Sequence, residues 1–506
     1  MRLPLVFATA LLMCLMAVSA GAVVYVDCNA PGPVHNGASW QSAFLSISQA
    51  LAHIGNGSEI WVRTGTYNER LTLNTYTTIY GGFLGHETSL GQRMIGAFPT
   101  VVSGQRRGSV ITMPNGARVT LDGLTIKNGL AERGGGIWCA TDAVVNIRNC
   151  RIEHCEATIL GGGVYYDTYT QGTMSDCVVT NNEAPGGGGV VVQYHSYPTL
   201  NNNVIVRNRA TVSGGGVYCP FHSGALANYC TIAYNQAEVN GGGIYAYYGG
   251  PETFRYCIIA FNSAPAGAGL YADGGTSSAV LTACVWYGNV TGDLGGYLFS
   301  LPPGNMTCDP LFLMPERNEF HLRMDSPCPT AGAYPVADSY ALDRIGIAKL
   351  LSDGSPVTFR NKVVSAVDGD TVYLQEPDRT AGIAATGIPG ASPGRIVTVA
   401  TGSLSTQSGG TLLVATSSTV SDAVYRTPPV AVPIRSLSAL VGVKVLTWGR
   451  ITAITDCGFV LSDGDLSVAV KCPSGDIRVG DRVTVVGVLS IEGVFLAPDP
   501  PRLHHR

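Results

Sequence analysis

Between residues 120 and 300 the apolar and polar positions repeat in blocks of 26 to 27 residues. Glycine triplets at 134–136, 161–163, 187–189, 214–216 and 241–243 continue as Gly267-Ala268-Gly269 and Gly295-Gly296. In phase with them run Cys150, Cys177, Asn203, Cys230, Cys257 and Cys284, each followed five residues later by Cys155, Asn182, Asn208, Asn235, Asn262 or Asn289. An apolar ladder of Ile147, Met174, Leu200, Ala227, Phe254 and Leu281 stands three residues before the first of these. Three ladders with one period define one structural unit stacked about seven times.

Leu200, Asn203, Ile205 and Asn208 also fit the spacing of a leucine-rich repeat, whose other half needs a helix or similar return segment. Here that half is three glycines followed by Val-Tyr or Ile-Tyr, as at Gly216-Val217-Tyr218 and Gly243-Ile244-Tyr245. Three glycines in a helix interior cost roughly 3 kcal/mol relative to alanine, with no apolar stripe to offset them. The pattern therefore predicts turns and strands throughout, in a right-handed parallel β-helix over residues 23–335. Coils at the strand spacing of ~4.8 Å place the Asn ladder in inward turns, where each amide bonds its neighbours above and below. The same spacing exceeds the ~3.8 Å between Cβ atoms that a disulfide favours, so the Cys ladder reads as stacked free thiols.

Ahead of the repeat, Trp40, Phe44, Ile47, Leu51 and Ile54 alternate at spacings of four and three after Ser39. This predicts an amphipathic helix capping the open end of the solenoid. Beyond it, residues 336–430 and 431–506 read as two related all-β modules punctuated by Asp353-Gly354, Asp368-Gly369 and Asp463-Gly464, dipeptides that favour hairpins. Lys362–Ala366 with Val372–Glu376 and Arg450–Ile454 with Phe459–Asp463 suggest a duplicated small barrel resembling tandem OB-fold-like modules. Cys457 and Cys472 lie symmetrically about the Asp463 turn and are expected to bridge the hairpin, as are Cys308 and Cys328 to each other.

Composition narrows the setting. The 506 residues include 64 glycines, only 13% charged side chains, and 31 Lys plus Arg against 35 Asp plus Glu, a net charge of −4. That balance gives no reason to expect a nucleic-acid partner. Arg2, the apolar stretch Leu3–Val18 and the small residues up to Ala22 read as a cleavable secretory leader over 1–22, with no transmembrane segment in the mature chain.

The pairing of Gly-Gly-Gly-Val-Tyr with Cys230-Thr231-Ile232-Ala233-Tyr234-Asn235 resembles the repeats of polymorphic outer-membrane proteins, with Ile or Val mostly replacing Phe. Asn36-Gly37-Ala38-Ser39-Trp40, Gly81-Gly82-Phe83-Leu84-Gly85 and Cys308-Asp309-Pro310-Leu311-Phe312 extend the resemblance over residues 24 to 335. It implies a bacterial, exported, surface-associated protein, although some members of that group continue into an outer-membrane barrel that the C-terminal pattern here does not match. Right-handed β-helices also resemble pectin lyases and related polysaccharide enzymes, so a catalytic face has to be considered.

Six residues after the last Gly of successive triplets come Asp142, Tyr169, His195 and His222, with Asp167, Tyr194, Phe221 and Tyr248 in or near the same register. As a binding face, Tyr169, Tyr194, His195, Phe221, His222 and Tyr248 form an aromatic groove for sugar rings. As an enzyme face, His195 and His222 are the acid/base candidates, with Asp167 as carboxylate. No acidic cluster at coil spacing points to a metal, and no cofactor is implied. The expectation is a secreted, non-catalytic β-helix for adhesion or binding to extracellular polysaccharide or a cell-surface component; the alternative is a polysaccharide lyase or glycoside hydrolase.

Overall fold

The computed structural model describes residues 23–503 apart from short internal stretches, the longest being 335–344. The expected leader at 1–22 lies outside the described residues. The chain forms two compact units. One comprises the residues up to Thr88, Pro99–Pro310 and Ala331–Ala333; the other comprises Ser89–Phe98, Leu311–Thr330 and the chain from Tyr334 onward. Among the described residues no helix is long and apolar enough to cross a membrane.

The first unit is a parallel β-helix, right-handed as parallel crossovers are. Its coils stack strands into three sheets: the first from Val23–Val26 to Val280–Thr282, the second from Gly65–Tyr67 to Met306–Thr307, the third from Leu71–Thr72 to Leu294–Gly296. An intervening five-stranded sheet, Leu130–Arg133 to Gln236–Ala237, lies along the chain path between the second and third. The apolar ladder forms one in-register column, Ile147 over Met174, Leu200, Ala227, Phe254 and Leu281, buried inside the first sheet.

Each coil turns at single residues in the left-handed region. Between the first and second sheets these are Asn149, Asp176, Asn202, Tyr229, Tyr256 and Ala283, with φ from 51 to 55°. Between the second and intervening sheets they are His154, Asn181, Arg207, Tyr234 and Phe261. The next turn is opened by the first glycine of each triplet, as at Gly214 with φ 72°.

Immediately after the second corner the amides stack. Asn208 donates through Nδ2 to Asn235 Oδ1 at 3.1 Å, Asn235 to Asn262 at 3.1 Å and Asn262 to Asn289 at 3.1 Å. Each Oδ1 also accepts a main-chain N–H from the preceding coil, and each Nδ2 also donates to a carbonyl such as Ile205 O, so all four hydrogen-bonding sites of the amide are used. The column begins at Cys155, whose N–H donates to Asn182 Oδ1, and ends on Asp293 Oδ1, 2.8 Å from Asn289 Nδ2. Across the corner of each coil stand the glycine triplets. A Cβ on Gly216 would lie 2.9 Å from Asn235 Nδ2 and 2.6 Å from Gly243 O.

Cys150, Cys177, Cys230, Cys257 and Cys284 are buried free thiols, and several S–H groups donate to carbonyls, as Cys230 to Leu200 O at 3.4 Å. The expected bridges are not formed. Cys457 and Cys472 do stand opposite each other, Cys472 N–H donating to Cys457 O at 3.2 Å, but both are free, and so are Cys308 and Cys328. Symmetry about a turn sets the backbone pairing without bringing the sulfurs to bonding geometry.

The N-terminal helix is shorter than its apolar spacing predicts. It spans α1, Ile47–His53, because the capping side chain is Ser46, which accepts from Gln49 N–H, and not Ser39. Phe44 lies before the cap, bridged to Val26, while Trp40 packs edge-on against Tyr25 with centroids 4.8 Å apart. Ile47, Ala50 and Leu51 are the buried face of α1.

In the second unit, β1 (Pro356–Asp368), β2 (Thr371–Gln375), β3 (Gly382–Thr386), β4 (Arg395–Gln407) and β5 (Gly410–Val424) close a barrel in the order β1-β2-β3-β5-β4, with β3 and β5 parallel. The strands β6 (Lys444–Thr455), β7 (Gly458–Ser462), β8 (Ser467–Lys471), β9 (Arg482–Leu489) and β10 (Val494–Leu496) repeat that order, with β8 and β10 parallel and β9 returning to β6. The first barrel buries an ion pair, Lys362 Nζ to Glu376 Oε2 at 3.0 Å, and Glu376 Oε1 accepts Ile345 N–H.

Two stability outcomes follow. Asn235→Ala strips partners from Asn208 N–H, Asn208 Nδ2, Ile205 O and Asn262 Oδ1, and is expected to cost about 3 kcal/mol or more in urea unfolding. Tyr229→Ala, at an exposed corner, should cost less than about 1 kcal/mol, and equal losses would show that the amide column is not what holds the coils. Lys362→Met is expected to cost about 3–5 kcal/mol by leaving Glu376 buried and uncompensated, with the loss partly recovered in Lys362→Met/Glu376→Leu.

Candidate functional site

The turn from the third sheet back to the first carries the residues singled out by the sequence. Asp142, Tyr169, His195, Phe221, His222 and Tyr248 are left-handed residues in it, with φ from 45 to 60°. A left-handed backbone turns the side chain outward, and coil stacking then places successive rings face to face. Tyr169 and His195 stack with centroids 5.4 Å apart and planes 6° apart; His195 and His222 stack at 5.9 Å and 10°. A second line runs beside them. Tyr194 meets His195 edge-on at 4.6 Å and lies 6.3 Å from Phe221, which meets Tyr247 edge-on at 5.1 Å. Tyr247 in turn meets Tyr248 edge-on at 4.8 Å. Tyr169, Tyr194, Phe221 and Tyr248 are 41 to 52% exposed, so a large part of each side chain is open to a ligand. Tyr197, also exposed, donates its hydroxyl to His222 O at 2.7 Å and props the end of the row.

Asp167 does not join this row as an acid/base partner. Its Oδ1 accepts from Thr168 N–H at 2.8 Å and Thr168 Oγ1 at 3.3 Å, and among the described residues no hydrogen bond or ion pair links it to either imidazole. Nor does any group of three or more His, Cys, Asp or Glu side chains among the described residues converge as a metal site requires. The arrangement therefore offers stacking surface and imidazole hydrogen bonding on an open face. The outer face of the second sheet is less accessible over its later coils. Ala331–Ala333 lie on it, Gly332 N–H donating to Tyr256 O and Ala333 N–H to Thr231 Oγ1, and Val204, Thr231, Ile258 and Val285 are buried there.

Behind the exposed row runs a buried polar column that the sequence reading missed. Thr170 Oγ1 donates to Ala140 O and Ser196 Oγ to Asp167 O, each tying its turn to the preceding coil, while Ser223 Oγ donates to Pro220 O within its own turn. In the next coil Glu252 is fully buried, and among the described residues neither carboxylate oxygen has a hydrogen-bond partner. Register puts Glu252 over Ala225 and under Ala279, so an acidic residue stands between two alanines. Burial pushes its carboxyl up to about 7. That departure was visible in the alignment of coils once Thr253 was placed over Leu226. A second missed feature is the outward row two residues after each last glycine, Trp138, Tyr165, Tyr218, Tyr245 and Tyr271, on the third sheet.

Residues 101–224 and 135–296 match a family model described as a right handed beta helix region. No curated protein matches the chain. Among solved structures, the chain is similar to pectin methylesterase PemA from Erwinia chrysanthemi, at 12% identity over 58% of this chain and 94% of that one, with a TM-score of 0.31. The pectin methylesterase from Aspergillus niger gives 13%, 58%, 91% and 0.29. Tailspike protein gp49 from Acinetobacter baumannii bacteriophage Fri1, a capsular polysaccharide depolymerase, gives 12%, 79%, 78% and 0.22.

Glu252 generates a pH dependence whose sign is fixed. Its folded pKa of about 7 lies above the ordinary carboxyl value of 4.5, so the folded chain holds the proton more tightly than the unfolded one. Its contribution is greatest below pH ~4.5, falls as the pH rises towards ~7 and is then level, a difference of about 3 kcal/mol. Glu252→Ala is expected to abolish that slope and to raise the unfolding midpoint at pH 8; an unchanged midpoint there would show that the carboxylate is accommodated.

Proposed function

We propose that this is an exported, non-catalytic β-helix protein that binds an extended extracellular or cell-surface carbohydrate along the Tyr169–His195–His222 face. The observation that carries the reading is the open, in-line stack of exposed rings at coil spacing, flanked by Tyr194, Phe221 and Tyr248. Rings repeating at about 5 to 6 Å meet successive units of an extended sugar chain, and apolar sugar faces stack on aromatic rings. Binding is favoured over turnover because both imidazoles stack on rings instead of pairing with a carboxylate that would set their tautomer and basicity. The polysaccharide-acting proteins among the solved structures share the fold class alone, and fold does not assign chemistry.

Export through cleavage near Ala22 is part of the proposal, and the likeness of the repeat to polymorphic outer-membrane-protein motifs supports it. The two barrels we read as OB-fold-like spacer or packing modules; the shared strand order with a parallel third and fifth strand supports this. Neither shows the basic stripe with interleaved aromatics that nucleic acid requires.

The test is retention on, and product release from, a panel of immobilised polysaccharides. Tyr194→Ala/Phe221→Ala should weaken retention by about 1–3 kcal/mol in total. His195→Ala/His222→Ala should change affinity modestly with no turnover to lose. Release of reducing or unsaturated ends that disappears in the histidine variant, with retention intact, would instead make the chain a lyase or hydrolase. Recovery of protein that still begins at Met1 would overturn export.

A further inference from the structure

We propose a second ligand site, on a different face, that takes a monoanionic sugar unit such as a hexuronate. The intervening sheet begins abruptly at Leu130–Arg133, with a neighbour on one side only, so the solenoid has a step where the earlier coil lacks that strand. The step leaves a cleft lined by Arg70, Gly108, Ser109, Ala131, Glu132 and Arg133 over a floor of Thr112 and Trp138. Thr112 and Trp138 are in-register partners on adjacent strands of the third sheet.

Three features make this a built recess. Arg70 and Arg133 are both exposed, and neither guanidinium has an ion-pair or hydrogen-bond partner among the described residues, whereas nearby Arg106 is paired with Glu156. Arg70 lies directly on the main chain at Gly108, where a Cβ would sit 2.4 Å from Nη1 and where φ is 143°, so any other residue at 108 would displace it. Trp138 supplies a broad apolar surface, and its buried indole N–H has no acceptor among the described residues. Arg70 and Arg133 against Glu132 give the cleft a net charge of +1. A planar carboxylate fits a guanidinium fork, a pyranose face fits the indole, and hydroxyls find Ser109, Thr112 and Glu132. A single negative charge matches the net positive one, whereas a neutral sugar leaves both arginines unused.

This inference is independent of the reading of the His195–His222 face. The full chain is titrated with D-glucuronate and D-galacturonate, with glucose, galactose and acetate as controls, by calorimetry and tryptophan fluorescence. A hexuronate is expected to bind at least tenfold more tightly than any control. Arg70→Gln, Arg133→Gln and Gly108→Ala should each weaken it by tenfold or more, whereas Tyr194→Ala/Phe221→Ala should leave it unchanged. The arginines are exposed, so their variants should keep the wild-type unfolding midpoint, which is measured alongside. Failure of both hexuronates to bind, equal binding of glucose or of acetate, or indifference to both arginine changes would each overturn the site; loss in Tyr194→Ala/Phe221→Ala would relocate it to the other face.

Discussion

The structure depends on a close approach between glycine and asparagine across the corner of each coil. The column from Asn182 to Asn289 is fully hydrogen-bonded only if nothing stands between each amide and the chain opposite. The third glycine of each triplet meets that condition: a Cβ at Gly163, Gly189, Gly216, Gly243 or Gly269 would come within 2.9 to 3.1 Å of the facing Asn nitrogen or its neighbours. The glycines bond to each other as well, Gly215 N–H to Gly241 O and Gly188 N–H to Gly214 O, so the same residues carry the main-chain ladder through the turn. Neither half of the device is stable alone. A buried amide without its neighbours costs a few kcal/mol, and a triplet of glycines without a constraining partner is an entropic liability.

Once the coils are phased in this way, the corners fix what appears outside. A non-glycine residue in the left-handed region costs roughly 1–2 kcal/mol, and asparagine and aspartate bear it most readily. Early corners use them, at Asn149, Asp176 and Asn202, with Asn149 Nδ2 donating to Asp122 Oδ1 at 2.9 Å. Later corners use aromatics, which recover part of the strain by stacking: Tyr229 on Tyr256 at 5.0 Å and Tyr234 on Phe261 at 4.9 Å. Stacking is therefore a general property of this solenoid's corners. What distinguishes the Tyr169–His222 corner is the second line of exposed rings beside it and its imidazoles, the features that suit it to a ligand beyond its own cohesion.

The legible part of the molecule was the part written at one residue per coil. Gly, Asn and Cys recur at fixed offsets because each niche accepts few residue types, Asn203 and Cys155 being the exchanges between the Cys and Asn ladders, and a niche so restricted shows in the sequence. The Asp-Gly turns exposed the duplicated barrels for the same reason; Asp463 Oδ1 accepts two main-chain N–H groups in its turn. The helix was overestimated because apolar spacing of four and three is also produced by Trp40 and Phe44 packing from a loop, and only the cap at Ser46 marks the true start. The cleft could not be read at all, since Arg70, Arg133 and Trp138 come from separate strands and meet only where the intervening sheet begins. Glu252 was hidden by the opposite fault: it sits in register with Ala225 and Ala279, and it follows Gly243 by nine residues as Ala225 follows Gly216, without any other sign of an acidic ladder.

Regularity and recognition pull in different directions on such a surface. A row of equivalent rings presents each successive sugar with the same environment, so it gains affinity by repetition but lets the chain slip by one unit at little cost. Fixing the register or identity of a ligand takes a place where the repeat is broken and a charge is left unmatched. In this solenoid the repeat is broken at the step at Leu130–Arg133, the proposed hexuronate site, where a strand begins, a glycine admits an arginine to the backbone and two arginines and one glutamate line the same cleft. Breaks in a repeat, more than the repeat itself, are therefore where its chemical selectivity has to be sought.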